Sequence, residues 1–253
     1  MTGEYIVTVN ILIPVYNEER RVEKGVRTAN AFMQKMFPTQ YRITVVDNAS
    51  TDGTCKIMQT LQQKLKNVFY LRISEKGVGA ALRAGVKENE CDIVGYMDVD
   101  LSTDLKHISE MLKIFELDTN VTIVNGSRLS SNSYVTGRKK VRRITSYGLK
   151  YLLKLVFGMK INDAICGFKF FRKETIQKLM EVSSNEPGWF YCIELLLRAE
   201  RMGFKIKEIP VMWQDDYDTT VHVKKLIINY LKCIWRLKQT FHREDIQKKH
   251  ETI

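Results

Sequence analysis

The stretch Asp92-Ile93-Val94-Gly95-Tyr96-Met97-Asp98-Val99-Asp100 constrains this chain most. Apolar residues run into two carboxylates, then Leu101-Ser102-Thr103-Asp104 and a helical pattern. An apolar run bounded by turn residues reads as a buried strand of a parallel sheet. Aspartates at i and i+2 where such a strand ends point the same way, about 7 Å apart. Carboxylate oxygens are hard ligands, and Mg²⁺ or Mn²⁺ held by one or two of them keeps room for a diphosphate. In open α/β sheets ligands bind beyond the carboxyl ends of the strands, where Asp98 and Asp100 fall. Asp-x-Asp alone also suits a turn or a helix cap, so the rest of the chain has to decide.

The surrounding pattern predicts an α/β fold. Val9–Ile13, Ile43–Val46, Val68–Leu71, Ile93–Met97 and Val121–Val124 read as strands, with Pro14 ending the first. Helices alternate with them: one on Val22, Val26, Ala29, Phe32, Met33 and Met36; one on Ile57, Leu61 and Leu65; a short one after Gly77-Val78-Gly79; one on Leu105, Ile108, Leu112 and Phe115. That alternation gives a mostly parallel sheet covered on both faces. The second half is less regular. It offers a basic helix over Val141–Phe157, a strand at Phe168–Phe171, a helix over Trp189–Met202, an extended Lys205–Trp213 segment and a long patterned helix from about His222 to His242. No linker separates the halves, and we expect one domain over 1–215 with a basic amphipathic extension over 216–253.

Charge adds a surface to this plan. Nine bases and no acid lie between Asp118 and Asp163, six bases and no acid between Asp218 and Glu244. These hold fifteen of the 40 Lys and Arg, leaving 25 against 29 acids elsewhere, so the net +11 is local and marks surfaces that meet an anion. The five cysteines are scattered without Cys-x-x-Cys spacing, which points to free thiols in a reducing compartment. No secretory signal and no apolar run long enough to span a bilayer is visible. The expected location is cytoplasmic, peripheral on the cytosolic face of a membrane.

Six motifs in order resemble family 2 inverting glycosyltransferases of the GT-A fold, most of all the polyprenyl- or dolichyl-phosphate mannosyl- and glucosyltransferases. They are Ile13-Pro14-Val15-Tyr16-Asn17-Glu18-Glu19, Val45-Val46-Asp47 through Gly53-Thr54, Asp98-Val99-Asp100, Gly126-Ser127-Arg128, Asn162-Asp163 through Lys169, and Glu208-Ile209-Pro210-Val211-Met212-Trp213. The resemblance implies that Pro14, Tyr16 and Glu18 hold base and ribose, that Asp47 accepts from a base N–H, and that Asp98 faces ribose or diphosphate. It implies that Asp100 is the principal metal ligand, with Asp98 beside it. The family's Asn-x-Gly-Lys-Gly is replaced by Glu75-Lys76-Gly77-Val78-Gly79, where Lys76 stands in. Its Phe-Asp-x-Glu-Leu-Leu becomes Tyr191-Cys192-Ile193-Glu194-Leu195-Leu196, and the serine that often follows the tryptophan motif corresponds to Thr219 or Thr220.

The reaction so implied moves a hexose from a nucleotide diphosphate sugar to a polyprenyl phosphate, with Arg128, Arg142 and Arg143 as candidates for the acceptor phosphate. A phosphate monoester with a second pKa of about 6 needs little help from a base, whereas a hydroxyl acceptor needs one within reach. Asp163 is therefore an orienting residue or a base. Rival readings are a family 2 enzyme extending a glycan, a nucleotidyltransferase releasing pyrophosphate, and a nucleic-acid-binding protein. The basic stretches carry no recognised nucleic-acid signature. The long helix places Ile227, Tyr230, Leu231, Ile234, Leu237 and Phe241 on one face, Trp235 at its edge, and Lys225, Lys232, Arg236 and Arg243 opposite. That pattern suits a helix in the headgroup plane of an anionic bilayer as well as one packed on the core.

Overall fold

In the computed structural model, which describes residues 7–215 and 223–251, the apolar runs line up as one twisted sheet. Its strands are β1 (Val9–Val15), β2 (Tyr41–Asn48), β3 (Val68–Ile73), β4 (Ile93–Met97), β5 (Val121–Ser127), β7 (Phe168–Arg172) and β8 (Lys205–Pro210), in the order β3-β2-β1-β4-β7-β5-β8. A second, two-stranded sheet pairs β6 (Tyr134–Thr136) with β9 (Met212–Gln214). The expected extended segment 205–213 thus divides at Val211 between two sheets.

All pairings in the large sheet are parallel except those of β7, which runs antiparallel to both β4 and β5. This reversal matters for the site. Phe168, the first residue of β7, pairs with Met97, the last of β4. The motif before β7 is thereby delivered to the carboxyl end of β4, beside Asp98.

Helices cover both faces. Against one lie α1 (Val22–Met36), α2 (Thr54–Lys64) and α4 (Lys106–Leu117), with Val26, Met33, Leu61, Met111 and Phe115 in a core against Ile11, Ile13 and Val45. Against the other lie α3 (Val78–Lys87), α6 (Lys173–Val182) and α7 (Phe190–Arg201), packed on Leu12, Val94 and Phe171. Such alternation of inward faces is what period-2 strands between two helical layers require. Two helices complete this second layer: α5 (Lys140–Phe157) and α8 (Val223–Glu251).

Three expectations change. Pro14 does not end β1, which continues to Val15. The β4 ladder stops at Leu12↔Tyr96, so at Pro14 only the β2 side is paired and the missing N–H is tolerated. The helix α6 follows β7 without an intervening turn, so no sequence punctuation announced it. The apolar stripe of α8 splits. Tyr230, Ile234, Leu237 and Phe241, joined by Cys233, are buried in the core, whereas Ile227, Ile228, Leu231 and Trp235 face outward. Packing on the core and presenting an apolar surface are thus both properties of α8, on different faces. Thr219 and Thr220 lie outside the described residues.

One helical glycine ties this packing to the site. A Cβ on Gly25 of α1 would lie 2.2 Å from the Val99 carbonyl oxygen, inside the Asp98–Asp100 turn. Gly25→Ala should lower stability by about 1–3 kcal/mol through overpacking, against the roughly 1 kcal/mol that helix propensity alone would favour. Denaturant midpoints check this; a stabilised variant would show that the turn yields freely.

Candidate active site

A cleft of about 530 Å³ opens beyond the carboxyl ends of β1, β2 and β4. Pro14, Tyr16, Glu18, Lys76, Asp98, Asp100 and Arg128 all line it, as the sequence suggested. On the β1 side, the Lys76 ammonium sits 3.6 Å from the centre of the Tyr16 ring, a cation–π contact that holds both at the rim. Glu18 accepts from Arg21 Nε at 2.8 Å and Nη2 at 3.0 Å.

Asp47 is a correction. It is fully enclosed and absent from the cleft lining. Its carboxylate accepts from the Ser50 N–H at 2.8 Å and the Tyr70 hydroxyl at 2.6 Å, so its charge is spent on holding the end of β2. Asn48 faces the cleft instead, and its Oδ1 accepts from the Gly77 N–H at 3.0 Å.

The two aspartates sit just past β4, in a turn rather than on the strand. Leu101 is forced to φ 55°, an uncommon conformation for a leucine, and the turn is tied by the Ser102 N–H donating to Asp100 Oδ1 at 2.9 Å. Asp98 accepts from the Tyr96 hydroxyl at 3.1 Å. Burial and the neighbouring Asp100 charge push its carboxyl up to about 7, although Tyr96, Arg128 and Lys169 oppose the shift. Gly167 makes room for this group, since a Cβ there would fall 2.0 Å from Asp98 Oδ2. Among the described residues no cluster of three or more His, Cys, Asp or Glu side chains forms a metal site. Two crowded carboxylates at the mouth of a cleft fit a hard divalent cation that takes its remaining ligands from phosphate and water.

The opposite wall is built around Arg128 and Asp163. Arg128 donates through its backbone N–H and Nε to Asp163 Oδ2, at 2.9 and 2.8 Å, and through Nη2 to Oδ1 at 2.9 Å. Burial alone would raise the Asp163 carboxyl, but the charge and hydrogen bonds of Arg128 hold it below the usual carboxylate range. Glu208 fixes the turn from behind. It accepts from the N–H groups of Asn162 and Asp163 at 2.8 and 3.1 Å. Trp213 packs its ring 4.7 Å from the Arg128 guanidinium and donates Nε1–H to Asp215 at 2.9 Å. Asp215 also accepts from Arg142 at 3.2 Å. Lys169, fully buried, donates to the Cys166 carbonyl.

Arg143 is a second correction. It is exposed on the outer side of α5, outside the cleft lining. Arg142 and Arg138 line the cleft instead. The sequence masked Arg138, because five bases in the six residues 138–143 look alike. Asn48 and Arg21 were missed as neighbours of louder motif residues. The acid absent at Cys192 leaves a thiol in the cleft wall.

Comparison with known proteins agrees with this architecture. Among solved structures, glucosyl-3-phosphoglycerate synthase from Mycobacterium tuberculosis, crystallised with Mn²⁺, uridine-diphosphate and glucosyl-3-phosphoglycerate, superposes with a TM-score of 0.65 at 17% identity, covering 87% of this chain and 75% of that one. The fold is therefore GT-A. The model of glycosyl transferase family 2 matches residues 10–180. The chain belongs to that family, and the matched residues are its glycosyltransferase domain. Glycosyltransferase AglD of Haloferax volcanii is 29% identical over 237 residues, 91% of this chain but 38% of that protein. Dolichyl-phosphate beta-glucosyltransferase of Dictyostelium discoideum is 25% identical over 92% of this chain and 77% of its own length. A dolichyl-phosphate beta-glucosyltransferase of Trichomonas vaginalis is 29% identical over 83% and 66%. The chain spans well under half of the first of these relatives and about two thirds to three quarters of the others.

The Arg128–Asp163 pair yields a pH prediction. A carboxyl lowered in the folded state contributes stability that is present above its unfolded value, 3.8, and is lost as pH falls through the folded value. Asp163→Asn should cost about 3–5 kcal/mol at neutral pH by stranding a buried guanidinium, and should flatten the loss of stability below about pH 4. Urea titrations across pH check both parts.

Proposed function

We propose that the chain transfers a hexose from a nucleotide diphosphate sugar to a polyprenyl phosphate, with inversion at the anomeric carbon. One observation carries this reading: among the described residues, the acceptor wall has guanidinium groups and its carboxylates are each paired with one of them, Asp163 with Arg128 and Asp215 with Arg142. A hydroxyl acceptor would need a general base there; a phosphate monoester arrives ionised and needs a cationic seat. Asp163 is accordingly the orienting residue rather than the base. The names of the Dictyostelium and Trichomonas relatives support the same acceptor class.

In this scheme a phosphate oxygen attacks the anomeric carbon from the face opposite the leaving group. The bond from that carbon to the donor diphosphate breaks, and its electron pair departs with the nucleoside diphosphate. No proton has to be removed. Arg128 and Arg142 hold the attacking phosphate, while Pro14, Tyr16, Glu18 and Lys76 hold the nucleotide. Mg²⁺ or Mn²⁺ bound by Asp100, with Asp98 beside it, would supply Lewis-acid neutralisation of the leaving diphosphate. The Mn²⁺ and uridine-diphosphate bound by the Mycobacterium protein of the same fold support a divalent cation in the reaction.

A lipid acceptor has to meet the cleft at a membrane. Among the described residues no helix is long and apolar enough to cross one. Two helices at the cleft mouth present apolar faces instead. α5 exposes Val141, Ile144, Tyr151 and Leu155, recurring at helical spacing with Leu155 85% exposed. Lys140, Arg143, Lys150 and Lys154 flank them. α8 adds Ile228, Leu231 and Trp235 beside Lys225 and Lys232. Thr145 and Ser146 of α5 and Leu226 and Tyr230 of α8 reach the cleft itself. We infer that catalysis belongs to residues 1–215, and that α5 and the 216–253 extension seat the cleft on an anionic cytosolic leaflet, where each base contributes about 1 kcal/mol. Arg236 is not part of this basic face, because it is paired with Glu186 at 2.6 Å.

Nucleotide sugars screened with polyprenyl phosphate should release nucleoside diphosphate, not pyrophosphate. EDTA should abolish turnover, and Asp100→Asn should lower it at least a hundredfold without loss of fold, since Asp100 is exposed. Full activity in EDTA would overturn the metal assignment, and activity confined to a glycan hydroxyl would overturn the acceptor. In a separate measurement, Ile144, Tyr151 and Leu155 changed together to Glu should abolish cosedimentation with anionic vesicles while nucleotide binding persists. Undiminished cosedimentation would remove α5 from the membrane face.

A further inference from the structure

Arg138 is a cleft cation that has no carboxylate bound to it among the described residues. Gly137 adopts φ 71°, a left-handed conformation that turns the chain sharply between β6 and α5. The turn folds Arg138 back onto the first part of α5, where Nη2 donates to Ser146 Oγ at 2.6 Å. Ser146 is itself buried. The other two nitrogens, Nε and Nη1, are closed off from solvent and have no hydrogen-bond acceptor among the described residues. Leaving such donors unsatisfied costs about 1–3 kcal/mol each, and more where the group is charged.

The neighbouring charges sharpen the point. Arg128 is matched by Asp163 and Arg142 by Asp215. Among the described residues Arg138 is bonded to a hydroxyl and to no carboxylate, so this wall sets three guanidinium groups against the two carboxylates of Asp163 and Asp215. Burial, and next the nearby Arg128, depress the Arg138 guanidinium below its ordinary value, in spite of Asp163 and Asp215. A sequence that only needed to fold would gain by placing a neutral side chain here.

We propose that Arg138 is a further acceptor-site residue, whose guanidinium charge at the cleft wall attracts a phosphate monoester seated beside Arg128 and Arg142. The proposal rests on the phosphate-acceptor reading above and adds to it the residue that selects the anion. Arg128 and Arg142 each surrender part of their charge to a carboxylate. Arg138, bonded to no carboxylate among the described residues, supplies the charge that separates a phosphate monoester from a neutral alcohol. The phosphate chemistry is common to a lipid phosphate and to a small soluble phosphate ester, so the test includes both.

The experiment compares the wild-type chain with Arg138→Met and Arg138→Lys. Without ligand, Arg138→Met should melt at or above the wild-type temperature, because it removes a buried charge to which no carboxylate is bound among the described residues. Inorganic phosphate and glycerol phosphate should raise the melting temperature of the wild type and leave that of Arg138→Met unmoved. In transfer assays with polyprenyl phosphate in neutral vesicles, KM for the acceptor should rise at least tenfold in Arg138→Met. Arg138→Lys, which keeps the charge, should recover part of it. Affinity for nucleoside diphosphate should stay within twofold in both variants. A variant that melts well below the wild type while nucleotide affinity falls in parallel would make Arg138 structural and overturn the proposal. So would an unchanged acceptor KM. If the wild type transfers to no polyprenyl phosphate but is stabilised by phosphate through Arg138, the anion site stands and the lipid acceptor falls. Transfer to glycerol phosphate alone would identify a soluble ester as the source.

Discussion

The buried pair of Arg128 and Asp163 is the interaction on which the rest of the site depends. Two opposite charges without water are worth keeping only when every lone pair and N–H finds a partner. Here the pair has three hydrogen bonds between its members, a tryptophan ring against the guanidinium, and Glu208 behind the turn that carries the aspartate. The residues involved come from the end of β5, the continuous β8–β9 segment and the turn before β7, so three separate stretches of chain converge on one ion pair. The convergence requires β7 to run against its neighbours, since only then does the residue before Phe168 arrive beside Asp98. A parallel β7 would send that turn to the far end of the sheet.

The Lys76 side of the cleft is assembled by close backbone approach instead of charge pairing. Gly77 takes φ 137°, and a Cβ there would lie 2.1 Å from the Pro187 carbonyl oxygen. That same carbonyl accepts from the Gly79 and Ala80 N–H groups at 2.7 and 3.2 Å. Glu186, one residue earlier, is bound to Arg236 of α8, and its own carbonyl accepts from Arg83 at 2.7 Å. The loop before α7 therefore joins the long helix to the turn carrying Lys76. The departure from the family's usual glycine-lysine pattern is accommodated because Gly77 and Gly79 keep this contact, and Lys76 reaches the cleft over Tyr16.

Much of this was legible in one dimension. The alternation of strands and helices, the position of each strand in the first half, and the placing of Tyr16, Glu18, Asp98, Asp100 and Arg128 at strand ends all follow from apolar periodicity and motif order. Periodicity records which residues are buried, and burial dominates the energy of each element. What periodicity does not record is which neighbour buries a residue. Asp47 and Arg143 illustrate this: one carboxylate is consumed by Ser50 and Tyr70, and one guanidinium turns away from the cleft that its neighbour Arg142 lines.

The sequence by itself determined the fold class, the acidic end of β4 and the two basic surfaces, because local pattern and composition set those. Only the tertiary structure decided the antiparallel course of β7, the division of α8 into a buried and an exposed apolar face, and the partners of each charge. Those depend on contacts between residues far apart in the chain. Arg138, Arg142 and Arg143 are indistinguishable as letters. They differ because Gly137 turns one of them inward onto Ser146, Asp215 holds the second, and the winding of α5 leaves the third in solvent.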